Sequence, residues 1–120
     1  MRKVNILITG SRGYLGRNLG KKLLNDDNFN LTGLDISANQ SITESIKFIK
    51  ADLDNISLLS EALNEIDIIC HCAGLHGLDN TDKRVDEKYF KSNVIGTQNI
   101  YKEANKKKIK KIVLTSSIAS

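Results

Sequence analysis

Apolar residues along this chain fall into two alternating rhythms. Residues 4–9 form a short, mainly apolar run closed by Gly10, the pattern of a strand buried on both faces. From 14 to 24 the apolar positions are Tyr14, Leu15, Leu19, Leu23 and Leu24, which is helical spacing; Asp26, Asp27 and Asn28 end that run. Residues 29–36 read as a second strand closing on Asp35, 39–45 as a polar loop, and 46–51 as a third strand. A helix is expected over 55–63 with Asp54 or Asn55 as its N-cap, then a strongly apolar strand over 66–73 and a loop with two glycines over 74–81. Val85, Tyr89, Phe90, Val94, Ile100, Tyr101 and Ala104 predict a long helix over 82–107. Gly96 inside it weakens the helix and so marks a close packing contact. A fifth strand, 109–114, leads into Thr115-Ser116-Ser117.

Strands alternating with helices predict an α/β fold with a parallel sheet covered on both faces. Right-handed crossovers then favour the doubly wound Rossmann order 3-2-1-4-5. With 120 residues there is room for one domain, and neither repeats nor low-complexity linkers divide it.

Composition narrows the function classes. Apolar residues make up 40% and charged residues 27%, ordinary for a globular protein. No stretch approaches the ~18 apolar residues of a membrane span, and the basic start Met1-Arg2-Lys3 precedes an apolar run too short for a signal peptide; a cytoplasmic protein without a membrane partner is expected. The net charge of +4 owes much to Lys106-Lys107-Lys108-Ile109-Lys110-Lys111. Without flanking aromatics or arginines this run reads as a helix C-terminus complementing its macrodipole, not as a nucleic-acid surface. Cys70 and Cys72 stand two apart on a strand and share a face, a poor disulfide geometry and one suited to a reducing compartment. No metal site is expected from them with His71 and His76.

The strongest chemical signal is Thr9-Gly10-Ser11-Arg12-Gly13-Tyr14-Leu15-Gly16. Its glycines follow a predicted strand and open a predicted helix, the context of a dinucleotide fingerprint. Gly10 permits the turn, Gly13 admits phosphate close to backbone N–H groups, and Gly16 permits close helix packing. The helix N-terminus offers unsatisfied donors and partial positive charge. Asp35 stands nineteen residues beyond Gly16 at a strand end, where a carboxylate accepts the ribose hydroxyls.

The Gly-x-x-Gly-x-x-Gly spacing resembles the extended short-chain dehydrogenase/reductase family, the NAD-dependent epimerases and dehydratases. Ala51-Asp52-Leu53, His71-Cys72-Ala73-Gly74, Asn93-Val94-Ile95-Gly96-Thr97 and Leu114-Thr115-Ser116-Ser117 resemble further family segments in the same order. The resemblance implies an NAD-binding Rossmann domain over 1–120. It places the cofactor against Gly10, Ser11, Arg12, Gly13, Tyr14, Leu15, Gly16, Asp35, Ile36, Asp52, Leu53, Cys72, Ala73, Gly74, Asn93, Thr115 and Ser116, with Ser117 catalytic. It further implies a small-molecule substrate such as a sugar nucleotide, and a homodimer through the helix at 82–107. Taken singly, Asp52 also reads as a turn former, His71 as a hydrogen-bonded core histidine and Asn93 as a polar helix residue bonded to backbone.

One family feature is missing. Its catalysis needs a Tyr followed four positions later by a Lys, whereas Tyr14, Tyr89 and Tyr101 are followed by Asn18, Asn93 and Asn105. In the family that pair lies beyond the serine. The chain is therefore expected to be truncated after the fifth strand, a fragment or a degenerate paralogue, lacking the substrate-binding part. A non-enzymatic NAD(P)-binding sensor module is the alternative reading. Asp35 favours NAD by repelling a 2′-phosphate; Arg12 pulls towards NADP. Repulsion of a few kcal/mol at ~4–5 Å outweighs the ~1 kcal/mol of an exposed ion pair, so NAD is expected.

Overall fold

A computed structural model describes residues 2–37, 46–73 and 90–114, the last segment without the side chains of 90–92. Its elements in chain order are β1 (Val4–Thr9), α1 (Tyr14–Leu24), β2 (Phe29–Asp35), β3 (Lys47–Lys50), α2 (Ile56–Ala62), β4 (Ile68–His71), a π-helical segment (Phe90–Ile95), α3 (Gly96–Lys106) and β5 (Lys111–Leu114). The five strands form one parallel sheet in the order β3-β2-β1-β4-β5, as the alternation of strand and helix predicts.

Successive residues of β1 serve opposite faces. Leu7 joins Leu34, Ile69, Leu59, Leu63, Ile100 and Ala104 in a core closed by α2 and α3. Its neighbours Ile6 and Ile8 join Leu31 and Cys70 in a second core, covered by Leu19 and Leu23 of α1. Cys72 packs against that same core, and both cysteines are free thiols. Full burial of a Leu or Ile side chain contributes roughly 1.5–3 kcal/mol, so the two-sided sheet is the main source of stability.

The elements stop where local chemistry stops them. Asn55 caps α2 by accepting the Leu58 N–H at 3.2 Å. Lys21 and Lys22 stand in the last turn of α1 and Lys106 in that of α3, where cations suit the helix dipole. The lysine run thus crosses a helix end: Lys108 turns the chain at φ 60° and β5 begins at Lys111.

The helix expected over 82–107 differs in its described part. Residues 90–95 are π-helical and regular α-helix begins only at Gly96. The Thr97 hydroxyl donates to the Asn93 carbonyl at 2.8 Å, and such side-chain bonds compete with the backbone ladder. A Cβ at Gly96 would meet Leu53 Cδ1 at 3.0 Å, so this glycine does mark a close contact, between α3 and the turn after β3. Val94 and Tyr101 are exposed on this stretch.

Candidate cofactor site

The ends of the strands are stitched together by the loops that follow them. Register aligns Thr9 with Leu34 and His71, so the loops after β1, β2 and β4 leave the sheet side by side. Gly10 and Ser11 donate their N–H groups to the Leu34 carbonyl at 2.8 and 3.3 Å, and Ala51 donates to the Asp35 carbonyl at 3.0 Å. In a sheet of this order the crevice lies where the chain reverses direction, here between β1 and β4.

The glycine loop is built by backbone constraints. Gly10 has φ +67°, and a Cβ there would stand 2.7 Å from Ala73 backbone atoms. A Cβ at Gly16 would stand 2.2 Å from the Gly10 carbonyl oxygen. Helix α1 therefore rests on the loop's own backbone, which only glycine allows. The Gly13 N–H is used within the loop, donating to the Gly10 carbonyl at 3.0 Å. Arg17 N–H makes the first helical bond, to the Gly13 carbonyl at 2.9 Å. The N–H groups of Tyr14, Leu15 and Gly16 precede it and have no helical partner. Tyr14 and Leu15 are exposed beside them.

Asp35 faces this loop. Its Oδ2 accepts the Arg12 backbone N–H at 2.8 Å and its Oδ1 accepts the Ser37 N–H at 3.0 Å. Two backbone donors hold the carboxylate in place while leaving lone pairs on both oxygens. The Arg12 guanidinium lies 4.0 Å above the Phe48 ring, a cation–π contact that holds its head over β3. Between α1 and β3, residues that include Ser11, Arg12, Ile46 and Phe48 enclose a hollow of about 10 Å³. That is water-sized. Ile36 is exposed beyond Asp35.

At the other side of the crevice the Thr9 hydroxyl accepts the backbone N–H groups of Cys72 at 3.1 Å and Ala73 at 3.2 Å. The same oxygen lies 2.6 Å from His71 Nδ1, and His71 Nε2 lies 2.9 Å from Thr97 Oγ1. Thr9 and His71 are both buried. Burial lowers the His71 pKa below its ordinary value and raises that of the Cys70 thiol, so both groups are neutral at pH 7.

Asp52 is exposed, and its Oδ1 accepts the Asp54 N–H at 3.2 Å; this is the turn-forming role that its residue type also allowed. Leu53 is buried beneath Gly96. Asn93 is exposed, with its carbonyl engaged by Thr97. Gly74, Thr115, Ser116 and Ser117 lie outside the described residues. Thr9 and Thr97 stand within the quoted motifs and Phe48 within the third strand, but none of the three is among the expected site residues. A polar residue closing an apolar strand was a usable signal for Thr9, and the four-residue spacing from Asn93 one for Thr97; nothing marked Phe48. Among the described residues no His/Cys/Asp/Glu group is placed to hold a metal, and no helix is long and apolar enough to cross a membrane.

The profile of the family described as "NAD dependent epimerase/dehydratase family" matches residues 6–120. The chain belongs to that family. It is 33% identical over 120 residues to short-chain dehydrogenase/reductase family 42E member 1 of Homo sapiens, covering 96% of this chain and 30% of that protein. It is 34% identical over 116 residues to 3 beta-hydroxysteroid dehydrogenase/Delta 5→4-isomerase of Vaccinia virus (strain Copenhagen), covering 92% and 33%. Among solved structures, MoeE5 in complex with UDP-glucuronic acid and NAD superposes with a TM-score of 0.82 at 26% identity, over 94% of this chain and 36% of that one. The chain thus spans about a third of the length of these proteins.

Proposed function

We propose that this family member binds NAD across the ends of β1, β2 and β4, as the dinucleotide-binding portion of an epimerase, dehydratase or reductase. One observation carries the reading: the free donors at the start of α1 and the fixed carboxylate of Asp35 flank a single loop, joined by the 2.8 Å bond from Arg12 N–H to Asp35. Pyrophosphate suits the donors, and an adenosine ribose suits a carboxylate with lone pairs to spare. In this reading Gly10 through Gly16 hold the pyrophosphate, Asp35 and Ile36 the adenosine ribose, and Asp52 and Leu53 the adenine side. Cys72, Ala73, Gly74 and Asn93 line the crevice; Thr115 and Ser116 approach the nicotinamide. NAD supplies hydride chemistry when bound. Ser117 would hydrogen-bond the substrate hydroxyl undergoing it. The substrate is a sugar nucleotide or a similarly hydroxylated molecule: MoeE5 is described with UDP-glucuronic acid and the Vaccinia virus relative as acting on a hydroxysteroid, and a secondary alcohol is common to both. The two free thiols support a reducing, cytoplasmic setting.

Titration calorimetry of the purified protein with NAD and NADP tests the reading. Asp35 is held by two backbone donors, whereas the Arg12 guanidinium is held over the Phe48 ring. NAD is expected to bind at least about tenfold more tightly, a difference of about 1.4 kcal/mol. Equal or tighter NADP binding would reverse the roles assigned to Asp35 and Arg12, and binding of neither would remove the cofactor reading.

A further inference from the structure

The buried polar chain behind the crevice has a defined proton order. Thr97 has one hydroxyl proton, and it is donated to the Asn93 carbonyl at 2.8 Å. Towards His71 Nε2, 2.9 Å away, Thr97 Oγ1 is therefore the acceptor, and Nε2 carries a proton. A neutral imidazole has only one N–H, so Nδ1 is the acceptor of the 2.6 Å bond with Thr9. The Thr9 hydroxyl donates there. That leaves the Thr9 oxygen to accept two backbone N–H groups, that of Ala73 and that of Cys72, which it shares with the Thr9 carbonyl, also at 3.1 Å. The order runs from the β4 loop through β1 and β4 to the π-helical segment ahead of α3.

We propose that His71 is a positioning residue for the cofactor: as the Nε2–H tautomer it ties the Cys72-Ala73 backbone, through Thr9, to the start of α3, through Thr97. The inference rests on the cofactor reading above. It adds that the crevice wall is set by a histidine and by a threonine on α3, neither of which is among the cofactor-holding residues named above. The wall matters because Ala73 leaves no room beside Gly10: a single added methyl there would stand 2.7 Å from Ala73. Small movements of the β4 loop therefore act directly on the glycine loop. The opposite tautomer cannot form the same chain. A proton on Nδ1 would compete with the Ala73 and Cys72 N–H groups for the Thr9 oxygen, and Nε2 would become an acceptor facing a hydroxyl whose proton is donated to Asn93.

Two measurements on the full chain test this. Ring-nitrogen NMR, with the His71 signals assigned by their loss in His71→Asn, is expected to show the Nε2–H tautomer; an Nδ1–H ring overturns the proposal. NAD affinity is then compared across Thr97→Val, His71→Asn and the double variant. Thr97→Val keeps shape and removes the hydroxyl, and is expected to weaken NAD binding about fivefold, the worth of one hydrogen bond. His71→Asn retains an acceptor for Thr9 but loses the donor to Thr97, so Thr97→Val in that background should change affinity by less than about twofold. An unchanged Kd for Thr97→Val, or two effects that simply multiply, overturns the positioning role, because a merely structural pair would lower stability and leave the Kd alone. If the wild-type chain binds no NAD, the positioning role falls with the cofactor reading. An Nε2–H ring in such a chain then locates the failure in the reading of the glycine loop, not in the tie.

Discussion

A methyl group at Gly16 would stand 2.2 Å from the Gly10 carbonyl oxygen, an atom of backbone, whereas one at Gly20 would meet the end of the Ile46 side chain at 3.3 Å. Both glycines lie in α1 and both are buried. They should nevertheless respond in opposite ways. Gly16→Ala is expected to destabilise by roughly 1–3 kcal/mol or more, since the loop has to move. Gly20→Ala should be neutral or stabilising by up to about 1 kcal/mol, because Ile46 can turn aside and alanine favours the helix. Urea unfolding of the two variants measures this, and equal losses would refute it. His71 supplies a second residue-scale test. The unfolded ring binds its proton near 6.5 and the buried one lower. Between those values the unfolded state holds more protons, so stability is full above about 6.5 and declines as pH falls through the folded pKa. Unfolding midpoints from pH 7.5 to 5 should fall in wild type and fall less in His71→Asn. At this scale the turn at Gly10 and the close helix contact at Gly16 were legible from type and spacing, because only glycine leaves the room each needs. His71 was ambiguous between a packed histidine and a site residue. It is buried and hydrogen-bonded, and only the positions of Thr9 and Thr97 give that bonding a direction.

The order and kind of the elements followed from the apolar pattern, while their ends did not. The third strand, expected over 46–51, runs Lys47–Lys50, and the fourth, expected over 66–73, runs Ile68–His71. Apolar residues continue past the last ladder bond because loops here pack on the same two cores as the strands do. Caps were easier to read: of Asp54 and Asn55, the structure selects Asn55. Asn55→Ala should cost about 1 kcal/mol of stability by removing the acceptor of the Leu58 N–H. Loss of less than a few tenths in a chemical melt would mean that water replaces it fully. The π-helical turn had no sequence signal at all. The Thr97 hydroxyl bonds the Asn93 carbonyl there, but threonines in ordinary helices make similar bonds without unwinding them.

At the scale of the molecule, the doubly wound order brings residues from several loops to one edge, the edge proposed above to bind and orient the cofactor. Moving a substrate proton asks for a further group. General acid–base help is commonly worth ~10²–10⁴ in rate, and the Tyr-to-Lys spacing that supplies it in this family is absent from these 120 residues. Tyr14 stands exposed at the mouth of α1, and Tyr101 is exposed on α3 well past the π-helical turn; neither has a lysine four positions on. Tyr89 lies outside the described residues and is followed at that spacing by Asn93. An asparagine has no charge with which to lower a phenol's pKa. Residues 1–120 alone, incubated with NAD and UDP-glucuronic acid or a 3-hydroxysteroid, are therefore expected to give no NADH absorbance above background. Turnover approaching the ~1–10³ s⁻¹ of ordinary enzymes would show that this edge carries its own acid–base group. Binding without turnover, alongside turnover in a longer protein carrying the pair, would place recognition of the cofactor in this piece and the proton chemistry outside it.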